Sequence, residues 1–293
     1  MKILIFGVTG MLGHQIYRIL EKSFPGQVYG TIRKTHSDVS AFAFLKKEFL
    51  VESIDINDFK SVEKVLGNLK PEWIINCTGI TLRKADSNDI EQCYRVNALF
   101  PQRLGQWAQV HQSRLIHFST DCVFSGSKGN YTENSITDAS DHYGQSKFLG
   151  EASGPHSLTL RLSIIGREIL GKTELIEWFL SQKGKAVQGY SEVYYTGLTT
   201  QFVAKEVLRI IEKFPTLSGL YQVAGEKISK YELLKMLNQK FANNSDLKPE
   251  AMKKSDKSLN CDLYIQKTGF KKPTWNELLT ELQKDNSFYE ARA

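Results

Sequence analysis

The chain has 293 residues, 41% hydrophobic and 24% charged, which places it in the globular class with room for one large domain or two coupled ones. Its net charge of +6 comes from dispersed lysines, and the densest run, Lys253-Lys254-Ser255-Asp256-Lys257, is short and broken by an acid. That distribution argues against nucleic acid as a partner and for a mild attraction to phosphorylated small molecules.

The N-terminus runs from Met1 and Lys2 into apolar residues 3–7, too short for a signal-peptide core or a membrane span of about 20 apolar residues. A cytosolic protein with no membrane partner is expected. A first strand over 2–6 enters a glycine turn and then a helix over 11–23, in which Leu12, Ile16, Ile19 and Leu20 share one face before Pro25-Gly26 stop it. Strands over 27–32 and 51–54, a helix over 57–69 ending before Lys70-Pro71, and a buried strand over 73–77 follow. Helical period recurs over 89–110, a strand covers 114–119, and a loop rich in Ser, Gly, Lys and Asn at 125–140 leads into a helix over 143–151. After a strand over 157–165 the alternation loosens, with helices over 173–182, 200–214, 230–241 and 275–283.

Short apolar runs alternating with helical period are the mark of βαβ units. The expected fold is therefore α/β, a doubly wound parallel sheet of Rossmann type with a smaller, mixed C-terminal substrate lobe. The dinucleotide-binding domain covers 1–160, with 198–223 returning to it, and the lobe takes 161–197 and 224–293. Cys77, Cys93, Cys122 and Cys261 show neither a C-x-x-C pair nor metal-ligand spacing, so free thiols, a reducing compartment and no metal are expected.

Gly7-Val8-Thr9-Gly10-Met11-Leu12-Gly13 sets glycines at three-residue intervals where the first strand turns into the first helix. Glycines there permit a tight turn, close approach of a pyrophosphate and close helix-to-strand packing, while the helix N-terminus offers N–H donors. At the end of the second strand, where an NAD site presents an acid to the ribose 2′-hydroxyl, the chain reads Thr31-Ile32-Arg33-Lys34. An arginine can fork onto a 2′-phosphate, so NADPH is the expected cofactor, with NADH second. Asp55-Ile56 stands where an adenine edge could be capped, although an Asp before Asn57 is equally an ordinary helix cap. Asn76-Cys77-Thr78-Gly79 ends the fourth strand beside the pyrophosphate crevice.

Ser119-Thr120-Asp121 closes a buried strand, and Tyr143-Gly144-Gln145-Ser146-Lys147 begins 23 residues beyond Thr120. A tyrosine and a lysine four apart share a helix face. The lysine charge favours tyrosinate and lowers a phenol pKa from about 10, making Tyr143 a usable acid–base group.

With these motifs in this order, the chain resembles the extended short-chain dehydrogenase/reductases, and among them the dTDP-4-dehydrorhamnose reductase branch. The resemblance continues through residues 76–86 ending Lys84-Ala85-Asp86, then Arg95-Val96-Asn97-Ala98, Ser119 to Phe124, Gly150-Glu151 and 219–225. It implies a Thr120, Tyr143, Lys147 triad, with Thr120 hydrogen-bonding the substrate oxygen, Tyr143 protonating it and Lys147 also holding the nicotinamide ribose. It further implies cofactor contacts from the Gly7–Gly13 turn, Arg33, Asp55, Ile56, Cys77, Thr78, Gly79 and Asn97, the last also a structural residue, and substrate contacts from Thr81, Lys84, Asp121, Val123 and Phe124. The implied partner is a nucleotide sugar, the implied reaction hydride transfer to C4 of a 4-keto-6-deoxy sugar, and a homodimer is compatible with it. Three segments depart from the branch: Ser163-Ile164-Ile165 in place of an aromatic, residues 185–200, and Lys253-Lys254 in place of Arg-Pro before Ser258-Leu259.

The related 4,6-dehydratases need an Asp-Glu pair directly after the threonine. Here the pair is Asp121-Cys122, and a thiol cannot supply a second carboxylate's chemistry. A 4-epimerase uses the same triad and stays open, a tightly retained NAD being its mark. A non-catalytic regulatory subunit, like the reductase-like chain that binds methionine adenosyltransferase, is the third reading, against which the intact triad counts.

Overall fold

The apolar run Ile3–Phe6 forms strand β1, every residue of it without exposure. A continuous apolar run, unlike an alternating one, encodes a strand covered on both faces. The structure, a computed structural model, describes residues 1–81 and 89–290. Around β1 stand β2 (Val28–Thr31), β3 (Leu50–Val51), β4 (Trp73–Asn76), β5 (Arg114–Thr120), β6 (Ser157–Leu162) and β7 (Gly219–Gln222), a seven-stranded sheet in the order β7-β6-β5-β4-β1-β2-β3. β1 pairs in parallel with β2 and β4, β2 with β3, and β4 with β5. The strand order reverses between β1 and β4, and beyond the carboxyl ends of such strands open α/β sheets bind ligands.

The crossovers are helical. They include α1 (Gly13–Ser23), α2 (Phe59–Leu69), α3 (Ile90–Tyr94), α4 (Phe100–Val110), α5 (His142–Leu149), α6 (Leu175–Leu180) and α7 (Thr200–Lys213). This is the Rossmann-type α/β fold, with small additional sheets. The chain divides into two compact units, the first made of Met1–Ser119, Asp141–Leu160 and Val203–Leu220, the second of Thr120–Ser140, Arg161–Phe202 and Tyr221–Ala293. The segment between Thr120 and Ser140 thus belongs to the second unit.

In the first unit Leu4, Phe6, Leu66, Ile74, Phe100, Leu104 and Leu115 form a buried cluster, with Phe6 edge-on to Phe100 at 5.3 Å. In the second, Ala186–Tyr190 pairs in parallel with Asp246–Glu250, and Val193–Tyr195 lies between Ile228–Ser229 and Ser255–Asp256. Helices α8 (Lys230–Lys240), α9 (Asp262–Thr268) and α10 (Trp275–Lys284) accompany them.

Helix α1 begins at Gly13, not at residue 11, because the glycine turn extends through Leu12. The stretch over 89–110 is three pieces, since a π-helical turn over Arg95–Leu99 separates α3 from α4, and Pro101 follows in the first turn of α4. The apolar period survives a π turn, so the pattern reads as one helix. The strand over 157–165 ends at Leu162, and Ile164–Ile165 leaves to pair with Leu198–Thr199. No helix among the described residues is long and apolar enough to cross a membrane.

Leu104 on α4 is fully buried in the first unit's core. Leu104→Ala should lower stability by about 2–5 kcal/mol through lost transfer energy and a residual cavity. The measurement is urea unfolding, where the midpoint should fall with the slope unchanged; an unmoved midpoint would place this side chain outside the cooperative core.

Candidate active site

The three glycines after β1 differ in what the surrounding structure demands of them. Gly7 sits at φ +83°, a left-handed conformation that disfavours side chains. At Gly13 an added Cβ would lie 2.1 Å from the Gly7 carbonyl oxygen, so strand and helix pack this closely only without one. Gly10 differs: its N–H donates to Gly7 O at 3.0 Å, and an added Cβ would meet only that oxygen, at 3.3 Å. The protein's own packing makes little demand for glycine there, as fits a bare surface open to a ligand. No side chain caps α1 and its first turn holds no acid, so no carboxylate competes with a phosphate for the N-terminal amides. These residues fit a dinucleotide pyrophosphate. Thr9 and Met11 are half-buried in the same turn and Leu12 is buried.

Arg33 is exposed just beyond β2, and Thr31, the last residue of that strand, accepts the Gly7 N–H at 3.4 Å. Asp55 is exposed and its Oδ1 accepts both the backbone and side-chain N–H groups of Asn57 at 3.0 Å. It is not the helix cap that its position suggested. Asp58 caps α2 by accepting the Ser61 N–H, because the chain makes one more turn and the helix begins at Phe59. Ile56 packs against the buried cluster of Ile80, Cys93 and Val96.

The end of β4 is held by a side-chain network. Asn76 Oδ1 accepts from Thr78 N and Thr78 Oγ1 at 3.1 and 2.6 Å, leaving its Nδ2 to meet His117 Nδ1 at 3.1 Å across the β4–β5 pairing. His117 is buried, and burial together with the Lys147 charge holds it far below the usual imidazole range, hence neutral. Sequence reasoning passed over His117; its signal was a lone polar residue inside the apolar run Leu115-Ile116-His117-Phe118. Cys77 and Gly79 follow on the same segment, and burial pushes the Cys77 thiol well above its usual range, which suits an inert thiol.

Asn97, in the π-helical turn, clamps two elements together. It exchanges hydrogen bonds with the backbone of Ile80, both at 3.0 Å, and donates to Ser146 Oγ on α5 at 3.2 Å. Close contact is enforced at Gly150, where an added Cβ would come within 1.8 Å of the Asn97 carbonyl oxygen. Helix α5 is capped by Asp141, whose carboxylate accepts the Gly144 N–H at 2.8 Å, and it carries Tyr143, half-buried, and Lys147, 6% exposed. Lys147 Nζ donates to the Phe118 carbonyl at 2.5 Å. Burial pushes its ammonium down from 10.5 to about 8, with Glu151 opposing the shift. Glu151 in turn accepts the Ser119 hydroxyl at 2.7 Å.

In the second unit, Thr120 opens a short helical turn over Asp121–Val123 and accepts the Cys122 N–H at 3.1 Å. Asp121 is buried, and desolvation raises it above the ordinary aspartate range. Val123 and Phe124 are fully buried, and the Val123 carbonyl accepts from Asp138 and Ala139 at 3.1 Å. Phe124 is stacked on Tyr131 at 4.2 Å and covered by the Arg161 guanidinium at 5.3 Å, so its side chain is committed to packing. Thr81 is half-buried, and Lys84 lies outside the described residues. No group of three or more His, Cys, Asp or Glu among the described residues could hold a metal ion.

A parallel sheet with a glycine turn at its switch point, and a Tyr-x-x-x-Lys helix, defines a Rossmann-type chain of the extended short-chain dehydrogenase/reductase class. The chain belongs to the family described as RmlD substrate binding domain, which matches residues 1–287. It is 26% identical over 232 residues to the probable low-salt glycan biosynthesis reductase Agl14 of Haloferax volcanii, 76% of this chain and 74% of that protein. It is 23% identical over 244 residues to methionine adenosyltransferase 2 subunit beta of Xenopus tropicalis, 78% and 69% of the two chains. Its fold matches that of a dTDP-4-dehydrorhamnose reductase from Bacillus anthracis in complex with NADP, with a TM-score of 0.78 at 18% identity over 97% and 99% of the two chains.

The lowered Lys147 ammonium has a consequence for stability. Between pH about 8 and 10.5 the unfolded chain holds a proton that the folded chain has released, so stability rises with pH in that window and the burial penalty is fully present below it. Lys147→Met should therefore stabilise the fold by on the order of 1–3 kcal/mol near neutral pH, with the gain shrinking above about pH 8. Urea unfolding of both proteins at the two pH values reads this; an advantage that does not change with pH would mean that Lys147 is not buried as a cation.

Proposed function

We propose that the chain is an NADPH-dependent reductase of the 4-keto group of a nucleotide-linked 4-keto-6-deoxy sugar, able to use NADH less well. The observation that carries this reading is α5, on which Tyr143 lies one helical turn from a lysine ammonium buried and held at 2.5 Å by Phe118 O. The Gly7–Gly13 turn with Thr9, Met11 and Leu12 would hold the pyrophosphate, Arg33 the 2′-phosphate, Asp55 and Ile56 the adenine side, and Cys77, Thr78, Gly79 and Asn97 the segment toward the nicotinamide. The cofactor supplies the hydride when bound.

In this reading Tyr143 gives its phenol proton to the ketone oxygen, and Lys147, charged at neutral pH, favours the resulting phenolate while anchoring the ribose. Thr120 hydrogen-bonds the same substrate oxygen, and Thr81, Lys84, Asp121 and the backbone at Val123 and Phe124 belong to the substrate side. Support comes from the likeness to the probable low-salt glycan biosynthesis reductase Agl14 and to the Bacillus anthracis enzyme in complex with NADP. The reading puts the reaction in the cytosol and is compatible with a homodimer.

A second reading, a non-catalytic subunit, is favoured by the likeness to methionine adenosyltransferase 2 subunit beta. Turnover separates the two. In single-turnover oxidation of NADPH by a panel of nucleotide-linked 4-keto sugars, Tyr143→Phe should lower kcat by about 10²–10⁴-fold and leave the NADPH dissociation constant nearly unchanged. Near-parental turnover in that variant would remove Tyr143 as the proton donor; no turnover of any substrate by the parent would favour the subunit. A bound NAD retained through purification would favour the 4-epimerase instead.

Cofactor choice is tested separately. Arg33→Ala should weaken NADPH about tenfold or more and barely affect NADH, because a charge-assisted bidentate contact is lost. Fluorescence titration measures both constants, and equal weakening of the two cofactors would dissociate Arg33 from the 2′-phosphate.

A further inference from the structure

The Thr120 hydroxyl has two neighbours in the second unit that fix its direction. Its Oγ1 accepts the Cys122 N–H at 3.1 Å and donates to Asp121 Oδ1 at 3.2 Å. A threonine hydroxyl has one proton and two lone pairs. With the proton given to a carboxylate, which can only accept, Thr120 has one lone pair left to offer.

Asp121 is 5% exposed, and a carboxylate so buried needs compensation. Besides Thr120, the Cys122 side chain hydrogen-bonds it and the charges of Lys257 and Lys230 act on it. Lys257 is held by its own N–H, which donates to Tyr194 O at 3.0 Å, and its Cγ lies 3.0 Å from where Gly126 would carry a Cβ. Lys230 is the first residue of α8. The remaining group is Tyr195, whose buried hydroxyl has no hydrogen-bond partner among the described residues and whose ionisation is opposed by burial and then by Asp121. Burial outweighs the two lysines, so Asp121 takes up a proton more readily than an ordinary aspartate.

We propose that Asp121 is a positioning residue that sets the hydrogen-bond polarity of Thr120. As a carboxylate it takes the Thr120 proton and leaves Thr120 an acceptor. As a carboxylic acid it donates to Thr120 Oγ1 and frees the Thr120 proton for a ligand oxygen. The proposal rests on Thr120 being the group that meets the substrate oxygen: a ketone oxygen can only accept and is served by the second state, whereas an alcohol can donate to the first.

The test is a ¹³C NMR titration of the Asp121 carboxyl in the full chain, its resonance identified by its loss in Asp121→Asn. Thr120→Val should move the midpoint up by about one pH unit or more, since a donor to the charged form is lost, and Thr120→Ser should restore it. Lys257→Met should also move it up, and this variant leaves the hydroxyl in place should Thr120→Val fail to fold. A midpoint unmoved in Thr120→Val would overturn the proposal, whatever Lys257→Met does. With a substrate in hand, the parent should lose ketone reduction as pH rises through that midpoint. Asp121→Asn, whose side chain does not titrate, should lack this step; a step retained in Asp121→Asn would also overturn the proposal. If no 4-keto sugar is reduced, the functional reading fails and the NMR titration still decides the role of Asp121.

Discussion

The Lys147 ammonium leaves water at the end of β5 and meets the Phe118 carbonyl at 2.5 Å. A charge so placed is tolerated only where the surrounding geometry is held, because a displaced partner would leave it buried and unpaired. Much of the first unit serves that condition. Asn97 ties the segment after β4 to Ser146, the residue before Lys147, and the bare Cα of Gly150 lets the end of α5 press against the Asn97 carbonyl. The π-helical turn is the local irregularity that carries Asn97.

The same charge reaches sideways. It helps keep His117 neutral, so the imidazole acts toward Asn76 as a neutral hydrogen-bonding group rather than as a cation. Asn76 can then orient Thr78 through its carbonyl oxygen. Cys77 between them is pushed toward the protonated thiol by burial, and Lys147 pulls weakly the other way.

The second unit solves a related problem with the opposite sign. Its buried carboxylate, Asp121, draws on hydroxyl and thiol donors next to it in sequence and on lysines more than a hundred residues away. The glycine at position 126, at φ +88°, is what leaves room for the Lys257 stem. Thr120 opens a segment that belongs to the second unit, whereas Tyr143 and Lys147 belong to the first.

What the sequence by itself determined was local. The glycine turn, the apolar runs of β1, β4 and β5, and the one-turn spacing of Tyr143 and Lys147 each lie within a few residues, where backbone period and steric rules act directly. The reading missed His117, whose partner Asn76 lies 41 residues away, and for Asn97, which it did single out, it missed the partner Ser146, 49 residues on. It also missed the pairing of Ala186–Tyr190 with Asp246–Glu250, two edge strands whose side chains are largely exposed and so carry little apolar signal. The burial of Lys147 and Asp121, and the proton affinities that follow from it, were settled only by tertiary structure. Desolvation depends on what packs around a group from every element, and no spacing along one chain segment encodes it.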